Sequence, residues 1–260
     1  MIDSTPTATL LMKAGRNPLR AIRRLMDTAR MSCLKDAEER DVAARFLSDA
    51  FHVDAQAIIE RCQRREVGAW MQRRRARLQK FSGYRLGSTP TFDCETIYSL
   101  VRAMRPGVVV ETGVCYGVSS AYILEALRDN GYGVLYSIDL GNTPDEPPND
   151  FFVRPALKGA WRLIIGDSRQ ELPRLLARLG QIDLFHHDSL HTYEHMTWEY
   201  ETAFPHLAPN GAISSHDVRT LMSLTNPFQR NPFSAFCRRH NLRSVEARNV
   251  GIAMRSTASG

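Results

Sequence analysis

The run Glu111-Thr112-Gly113-Val114-Cys115-Tyr116-Gly117-Val118-Ser119-Ser120 restricts the possible folds of this chain more than any other stretch. It follows the apolar triplet Val108–Val110 directly and leads into Ser119–Asp129, whose apolar spacing reads as a helix. A ligand lying at the carboxyl end of a first strand needs the backbone to come close. Gly113 and Gly117 remove the Cβ obstruction and permit unusual dihedral angles there. Ser119 and Ser120 fall where the helix begins and can cap its free N–H groups.

The rest of the chain from Thr91 onward repeats this strand–helix texture. A helix over Phe92–Met104 leads into strand Val108–Glu111, and helix Ser119–Asp129 into strand Gly133–Asp139. A loop rich in Pro, Asp and Asn, Gly141–Pro155, follows. Then come strand Arg162–Gly166, helix Gln170–Leu179, strand Ile182–His187, helix Tyr193–Leu207 and strand Ala212–His216. Such alternation implies a parallel sheet covered on both faces. After a helix over Pro232–Arg239, strands Ser244–Arg248 and Gly251–Arg255 are joined too tightly for a parallel crossover and are expected to pair as an antiparallel hairpin. The expected fold class is α/β: a Rossmann-like, mostly parallel seven-stranded sheet with a C-terminal antiparallel hairpin, preceded by an α-helical N-terminal segment.

Residues 1–90 are read as that helical segment and 91–260 as the sheet domain. Helices are expected from about Thr7, with a break at Asn17-Pro18, over Asp36–Phe51, and from an N-cap at Asp54 to Lys80. Phe81–Pro90, with Gly83, Gly87, Ser88 and Pro90, reads as a hinge. The basic charge sits in this segment: residues 1–90 hold 18 Lys and Arg against 10 Asp and Glu, leaving 16 against 18 in the rest. Arg73, Arg74, Arg75 and Arg77 close a helix, where cations oppose the macrodipole favourably. The segment is expected to serve as a substrate lid or an oligomer contact. Binding of nucleic acid or an anionic surface is the other meaning of such asymmetry.

Three acids mark strand ends in chain order. Glu111 stands two residues before Gly113. Because the glycines read GxxxG and not GxGxxG, and because a pyrophosphate would be repelled by Glu111, a dinucleotide is disfavoured. The ammonium group of S-adenosylmethionine suits that acid, directly or through water. Asp139 ends the second strand, where an acid suits the ribose hydroxyls. Asp167 and Ser168 follow the third, where Asp167 can accept from an adenine amine or cap the next helix. The expected cofactor-binding residues are therefore Glu111, Gly113, Gly117, Ser119, Asp139, Asp167 and Ser168.

Together with the segment Asp183-Leu-Phe-His-His-Asp188-Ser-Leu-His191-Thr-Tyr193-Glu194, these motifs resemble the class I S-adenosylmethionine-dependent methyltransferase superfamily over about Phe92–Arg255. The chain looks most like the small-molecule O-methyltransferase and cephalosporin hydroxylase-like group. The resemblance implies a divalent cation, magnesium or manganese, held by an acid closing the fourth strand and an acidic pair closing the fifth. Asp188 and Asp217 match, while His216 takes the place of the first acid of the pair. Asp188, His216 and Asp217 are thus the expected metal residues. Asp188 and His191 are the expected catalytic pair, with His191 at the position of a proposed base. A purely structural reading leaves Asp217 as a turn cap, His195 as half-buried packing and one of His186 and His187 facing the core.

The implied function is methyl transfer to a small-molecule hydroxyl. The second reading is an RNA-modifying methyltransferase with the basic helices as a phosphate-binding arm, although no RNA-binding module and no Asn/Asp-Pro-Pro-Tyr motif occurs. A homo-oligomer is compatible with either. No apolar run approaches the roughly 20 residues that span a bilayer, and no secretory signal pattern opens the chain. Five scattered cysteines without metal-ligand spacing predict reduced, mostly buried thiols and a cytoplasmic protein.

Overall fold

The computed structural model describes residues 37–64, 66–83, 91–219 and 231–255, with only the backbone of residue 79. The helices expected before residue 36, and all but the ends of the Arg219–Asn231 segment, lie outside these residues. Among the described residues, seven strands form one sheet in the order β3-β2-β1-β4-β5-β7-β6. They are β1 (Val108–Thr112), β2 (Val134–Asp139), β3 (Trp161–Ile165), β4 (Ile182–His187), β5 (Leu207–Ser215), β6 (Leu242–Ala247) and β7 (Val250–Arg255). The first five are parallel. β7 runs antiparallel to both β5 and β6 and is inserted between them. The hairpin expected of the last two strands is present, turning at 248–249.

Period-two alternation sends neighbouring residues to opposite faces of the sheet. Val109, Leu135, Leu184, Ala212 and Ile252 belong to one core, and Val110, Ile138, Phe185, Ile213 and Ala253 to the other. The first core is closed by α4 (Thr91–Met104) and α5 (Val118–Asn130), the second by α6 (Ser168–Leu179), α7 (Tyr193–Ala203) and α8 (Pro232–Arg239). Both faces of β1 are covered, so its Val-Val-Val run needs no polar alternation. At its start, the Asp183 carboxylate accepts from the N–H groups of Gly107 and Val108 at 2.8 Å each, tying β1 to β4.

Local chemistry explains where elements differ from the expected spans. Pro205 ends α7 at Ala203, and Phe204–His206 continue as a 3₁₀ turn. β5 begins at Leu207 and slips register against β4 between Ile182 and Leu184. The long helix expected over 54–80 is divided into α2 (Ala55–Gln63), α3 (Glu66–Arg75) and a 3₁₀ turn at Leu78–Lys80. Asp54 caps α2 as expected, its side chain accepting from Ala57 N at 3.0 Å. No helix among the described residues is long and apolar enough to cross a membrane.

The N-terminal helices share the sheet's core. Leu47 of α1 (residues 37–51), Ile59 and Cys62 of α2, and Val67 and Met71 of α3 are buried with α4 and α5. α3 also reaches the loop after β2. Trp70 donates its indole N–H to the Phe152 carbonyl at 2.6 Å, and Arg74 Nε donates to the Phe151 carbonyl at 2.7 Å while its guanidinium lies 3.8 Å from the Phe151 ring centre. Trp70→Phe keeps most of the packing but removes one donor. It is expected to lower stability by about 1 kcal/mol, read as a shift in denaturation midpoint with unchanged slope; a midpoint equal to wild type would show that this bond does not hold α3 on the loop.

Candidate active site

The turn after β1 is built around a buried carboxylate. Glu111 is fully buried, and its oxygens accept from Ser119 Oγ and Ser120 Oγ at 2.6 Å and from Ser137 Oγ at 2.7 Å. Trp161 Nε1 donates to Ser137 Oγ at 2.9 Å, extending the network to β3. Burial pushes the Glu111 carboxyl up to about 7, against the opposing pull of its three hydroxyl donors. Gly113 takes φ +82°, and a Cβ there would stand 2.1 Å from the Asp188 carbonyl oxygen. Gly117, at φ +81°, opens α5 without a side-chain cap, and a Cβ there would stand 2.5 Å from the Asn149 carbonyl oxygen. Both glycines are therefore required by conformation and by close approach.

Asp139 at the end of β2 holds this turn from the other side. One oxygen accepts from Val114 N at 2.7 Å and Cys115 N at 3.0 Å, the other from Gly141 N at 2.7 Å and Asn149 Nδ2 at 3.0 Å. Asn142 and Asn149 both donate to the Cys115 carbonyl, and Phe152 N donates to the Tyr116 carbonyl. The 141–153 loop is thus stitched onto the glycine turn. Beside it, Leu140 and Ile165 are left 77% and 57% exposed at the ends of β2 and β3. Asp167 is exposed and caps α6, accepting from Arg169 N at 2.9 Å. Ser168 is turned toward α7, its Oγ 3.2 Å from His195 Nε2.

The ends of β4 and β5 gather the second group. His191 Nδ1 lies 2.6 Å from Asp217 Oδ2, and its Nε2 lies 3.7 Å from Asp188 Oδ1. His216 Nδ1 lies 3.1 Å from Asp188 Oδ1 and 3.6 Å from Asp217 Oδ1. His216 Nε2 lies 3.1 Å from Asp93 Oδ2, a partner from α4. Asp217 holds a left-handed backbone, φ +56°, a conformation that a non-glycine residue adopts at some cost. Burial opposes charge on every member of this cluster, yet the mixed signs win. Asp188 and Asp217 are held below the usual carboxylate range by the neighbouring imidazoles. The carboxylates of Asp188, Asp217 and Asp93 push His216 up to about 12, and those of Asp217 and Asp188 raise His191. Ligand atoms of Asp188, His191 and Asp217 lie within 4.8 Å of one another, a donor set that fits a divalent cation.

Behind this cluster a buried carboxylate on α7 fixes the loop that carries it. Glu199 accepts from Thr112 Oγ1 at 2.5 Å and Ser189 Oγ at 2.9 Å, and contacts His187 Nδ1 at 2.6 Å and His195 Nε2 at 2.9 Å. These donors outweigh burial and hold Glu199 well below the ordinary glutamate range. His186 is buried with Nδ1 3.1 Å from Ser214 Oγ, and burial lowers it to about 4, so it is neutral.

The expected residues therefore fall into two groups that meet at Gly113. Glu111, Gly113, Gly117, Ser119 and Asp139 form the turn, with Glu111 and Asp139 engaged by protein donors. Asp188, His191, His216 and Asp217 form the cluster. Asp167 and Ser168 stand apart at the start of α6. Sequence reasoning missed Asp93, Glu199, Asn149 and Ser137. Asp93 and Glu199 carried one available signal, an acid within an apolar helical stretch. His186 and His187 are both fully buried, and His195, expected half-buried, is buried.

Comparison with known proteins bears on this geometry. Residues 110–218 match the model of a family described as a methyltransferase domain, a span of less than half the chain. No curated protein matches. Among solved structures, an SAH-bound methyltransferase of Podospora anserina superposes with a TM-score of 0.53 at 16% identity, over 74% of this chain and 88% of that one. The O-methyltransferase TomG of Streptomyces achromogenes, involved in tomaymycin synthesis and solved with SAM, gives 0.53 at 14% identity, over 65% and 82%. The MycE methyltransferase of the mycinamycin biosynthetic pathway, solved with Mg, SAH and mycinamycin VI, gives 0.52 at 15% identity, over 75% of this chain and 55% of that one. The fold is the one these solved methyltransferases share, and the matched segment is similar to a methyltransferase domain.

The raised Glu111 carboxyl has a sign that can be measured. A carboxyl whose folded pKa exceeds its unfolded value stabilises fully below about 4.5 and loses that contribution as pH rises to about 7. Glu111→Gln is expected to flatten the fall in stability over this window relative to wild type, measured by chemical denaturation at closely spaced pH values. Identical slopes for the two proteins would rule out a proton on Glu111 in this range.

Proposed function

We propose that this chain is an S-adenosylmethionine-dependent O-methyltransferase acting on a hydroxyl of a small molecule. The observation that carries this reading is the single close approach of the glycine turn to the Asp188 backbone. It sets a cofactor-type turn beside a cluster that can deprotonate an acceptor. Leu140 and Ile165 offer apolar surface for a flat base beside Asp167. Asp139 serves the ribose by exchanging one of its turn bonds, and Glu111 acts through the turn it holds. The buried thiols of Cys62, Cys94 and Cys237 suit the cytoplasmic location that accompanies this reading.

Methyl transfer from a sulfonium to oxygen is an in-line displacement, and a hydroxyl becomes a good nucleophile only as it loses its proton. Asp217 receives Nδ1–H of His191, which fixes the ring and leaves Nε2 to take that proton. Asp188 and Asp217 would hold a divalent cation together with an imidazole. Such an ion lowers the pKa of a bound hydroxyl. The small-molecule acceptor is favoured over RNA by the N-terminal helices: Arg74, part of the basic run, is committed to the 141–153 loop, and α1 to α3 bury their apolar faces in the core.

Calorimetric titration with S-adenosylhomocysteine is expected to show micromolar-range binding in wild type and in Asp188→Ala, because Asp188 contributes its backbone, not its side chain, to the turn contact. Methyl transfer to catechol- or sugar-type hydroxyl acceptors is expected to vanish in Asp188→Ala. For His191→Asn it should fall by about 10²–10⁴ in kcat. Failure of wild type to bind S-adenosylhomocysteine would sink the cofactor assignment, and full turnover in both variants would sink the roles given to the cluster.

A further inference from the structure

His216 is held in one orientation by a residue outside the matched segment. Asp93 sits in the first turn of α4, 1% exposed, and its Oδ2 lies 3.1 Å from His216 Nε2. Its other oxygen, Oδ1, is buried without a hydrogen-bond partner. A carboxylate is costly to bury, and a directed N–H donor offsets part of that cost. With Nε2–H given to Asp93, Nδ1 is the nitrogen whose proton an incoming cation would displace. That atom is itself buried and lies 3.1 Å and 3.6 Å from Oδ1 of Asp188 and Asp217. His191 differs. Its Nδ1 is taken by Asp217 at 2.6 Å, and its side chain is 26% exposed.

Resting on the methyltransferase reading for its purpose but not for its test, we propose that Asp93 is a positioning residue for the cation site. It fixes the His216 tautomer so that Nδ1, with Asp188 and Asp217, forms a one-nitrogen, two-carboxylate ligand set. A carboxylate behind an imidazole ligand orients the ring and raises its basicity, and losing it costs about 10–100-fold in metal affinity. One imidazole nitrogen among carboxylates shifts preference from magnesium toward manganese and the later divalent metals. His191 is left out of the ligand set and keeps its Nε2 for the acceptor's proton.

The test uses the full chain without cofactor or acceptor. Mn²⁺ and Mg²⁺ are titrated separately by calorimetry, and the Mn²⁺-loaded protein is measured by electron spin-echo spectroscopy, which detects imidazole nitrogen on the ion. Wild type is expected to show nitrogen modulation, His191→Asn to keep it and His216→Asp to lose it. His216→Asp should also reduce the preference for Mn²⁺ over Mg²⁺ at least tenfold, and Asp93→Asn should weaken Mn²⁺ binding about 10–100-fold. Wild type without nitrogen modulation overturns the assignment, and this holds even if Asp93→Asn does not fold. Modulation that survives in His216→Asp, or that is lost in His191→Asn, also overturns it, as does unchanged Mn²⁺ affinity in a folded Asp93→Asn. Parallel titration with S-adenosylhomocysteine in metal-free buffer separates the two readings: binding there with no cation site leaves the methyltransferase assignment standing and removes this one.

Discussion

Much of this molecule depends on one backbone contact. The end of β4 passes so near the end of β1 that position 113 has no room for a Cβ: the Asp188 carbonyl would stand 2.1 Å from it, and Asp188 N in turn donates to the Thr112 carbonyl at 2.8 Å. The two strand ends are therefore locked in register, and the side chains of Asp188 and His191 start from a backbone that the glycine turn fixes. Glu111 and Glu199 brace this junction from either side. Glu111 gathers three hydroxyls from α5 and β2, while Glu199 joins Thr112 of β1 to Ser189 just beyond Asp188. Buried carboxylates are expensive unless fully satisfied, and here each draws on at least two segments of chain, so the ends of the strands cannot drift independently.

The N-terminal helices extend the same logic outward. α3 grips the carbonyls of Phe151 and Phe152, and the loop bearing them bonds to the carbonyls of Cys115 and Tyr116 in the glycine turn. A path of directed hydrogen bonds thus runs from a helix before the sheet to the turn after β1. Buried residues of α1 to α3 pack in the same core as α4 and α5, so the position of that helix is set by apolar burial. Each large buried side chain there contributes about 1.5–3 kcal/mol.

What the sequence disclosed and what it concealed divide along a physical line. Strand–helix alternation, the two glycines and the acids at strand ends are local patterns, and they led to the sheet and to the residues at its carboxyl edge. The partners of those residues are not local. Asp93 and His216 are 123 positions apart, and Thr112 and Glu199 are 87 apart; no spacing rule links them. Glu111 and Asp139 look from sequence like groups offered to a ligand, yet folding supplies them with protein donors first. The break between α2 and α3 was also hidden, because apolar residues on either side of Arg64 keep a helical period. The one clue to Asp93 was an acid within an apolar helical stretch. An acid in the first turn of a helix usually answers the macrodipole, so the residue type alone does not point to His216.

The insertion of β7 between β5 and β6 has a consequence for the order in which the chain can be assembled during synthesis. β6 is made before β7 but touches no other strand of the sheet, so it has no partner until β7 is complete. Until then β5, with Ala212 to Ser215 able to form a full ladder, is an open edge on a sheet whose other strands are in place. Unpaired edges of this kind invite pairing with other chains. A chain whose β7 is not yet paired therefore carries an open edge beside His216 and Asp217, which follow that same strand. Closure of that edge waits for β7, which pairs with it from Ala212 to Ser215.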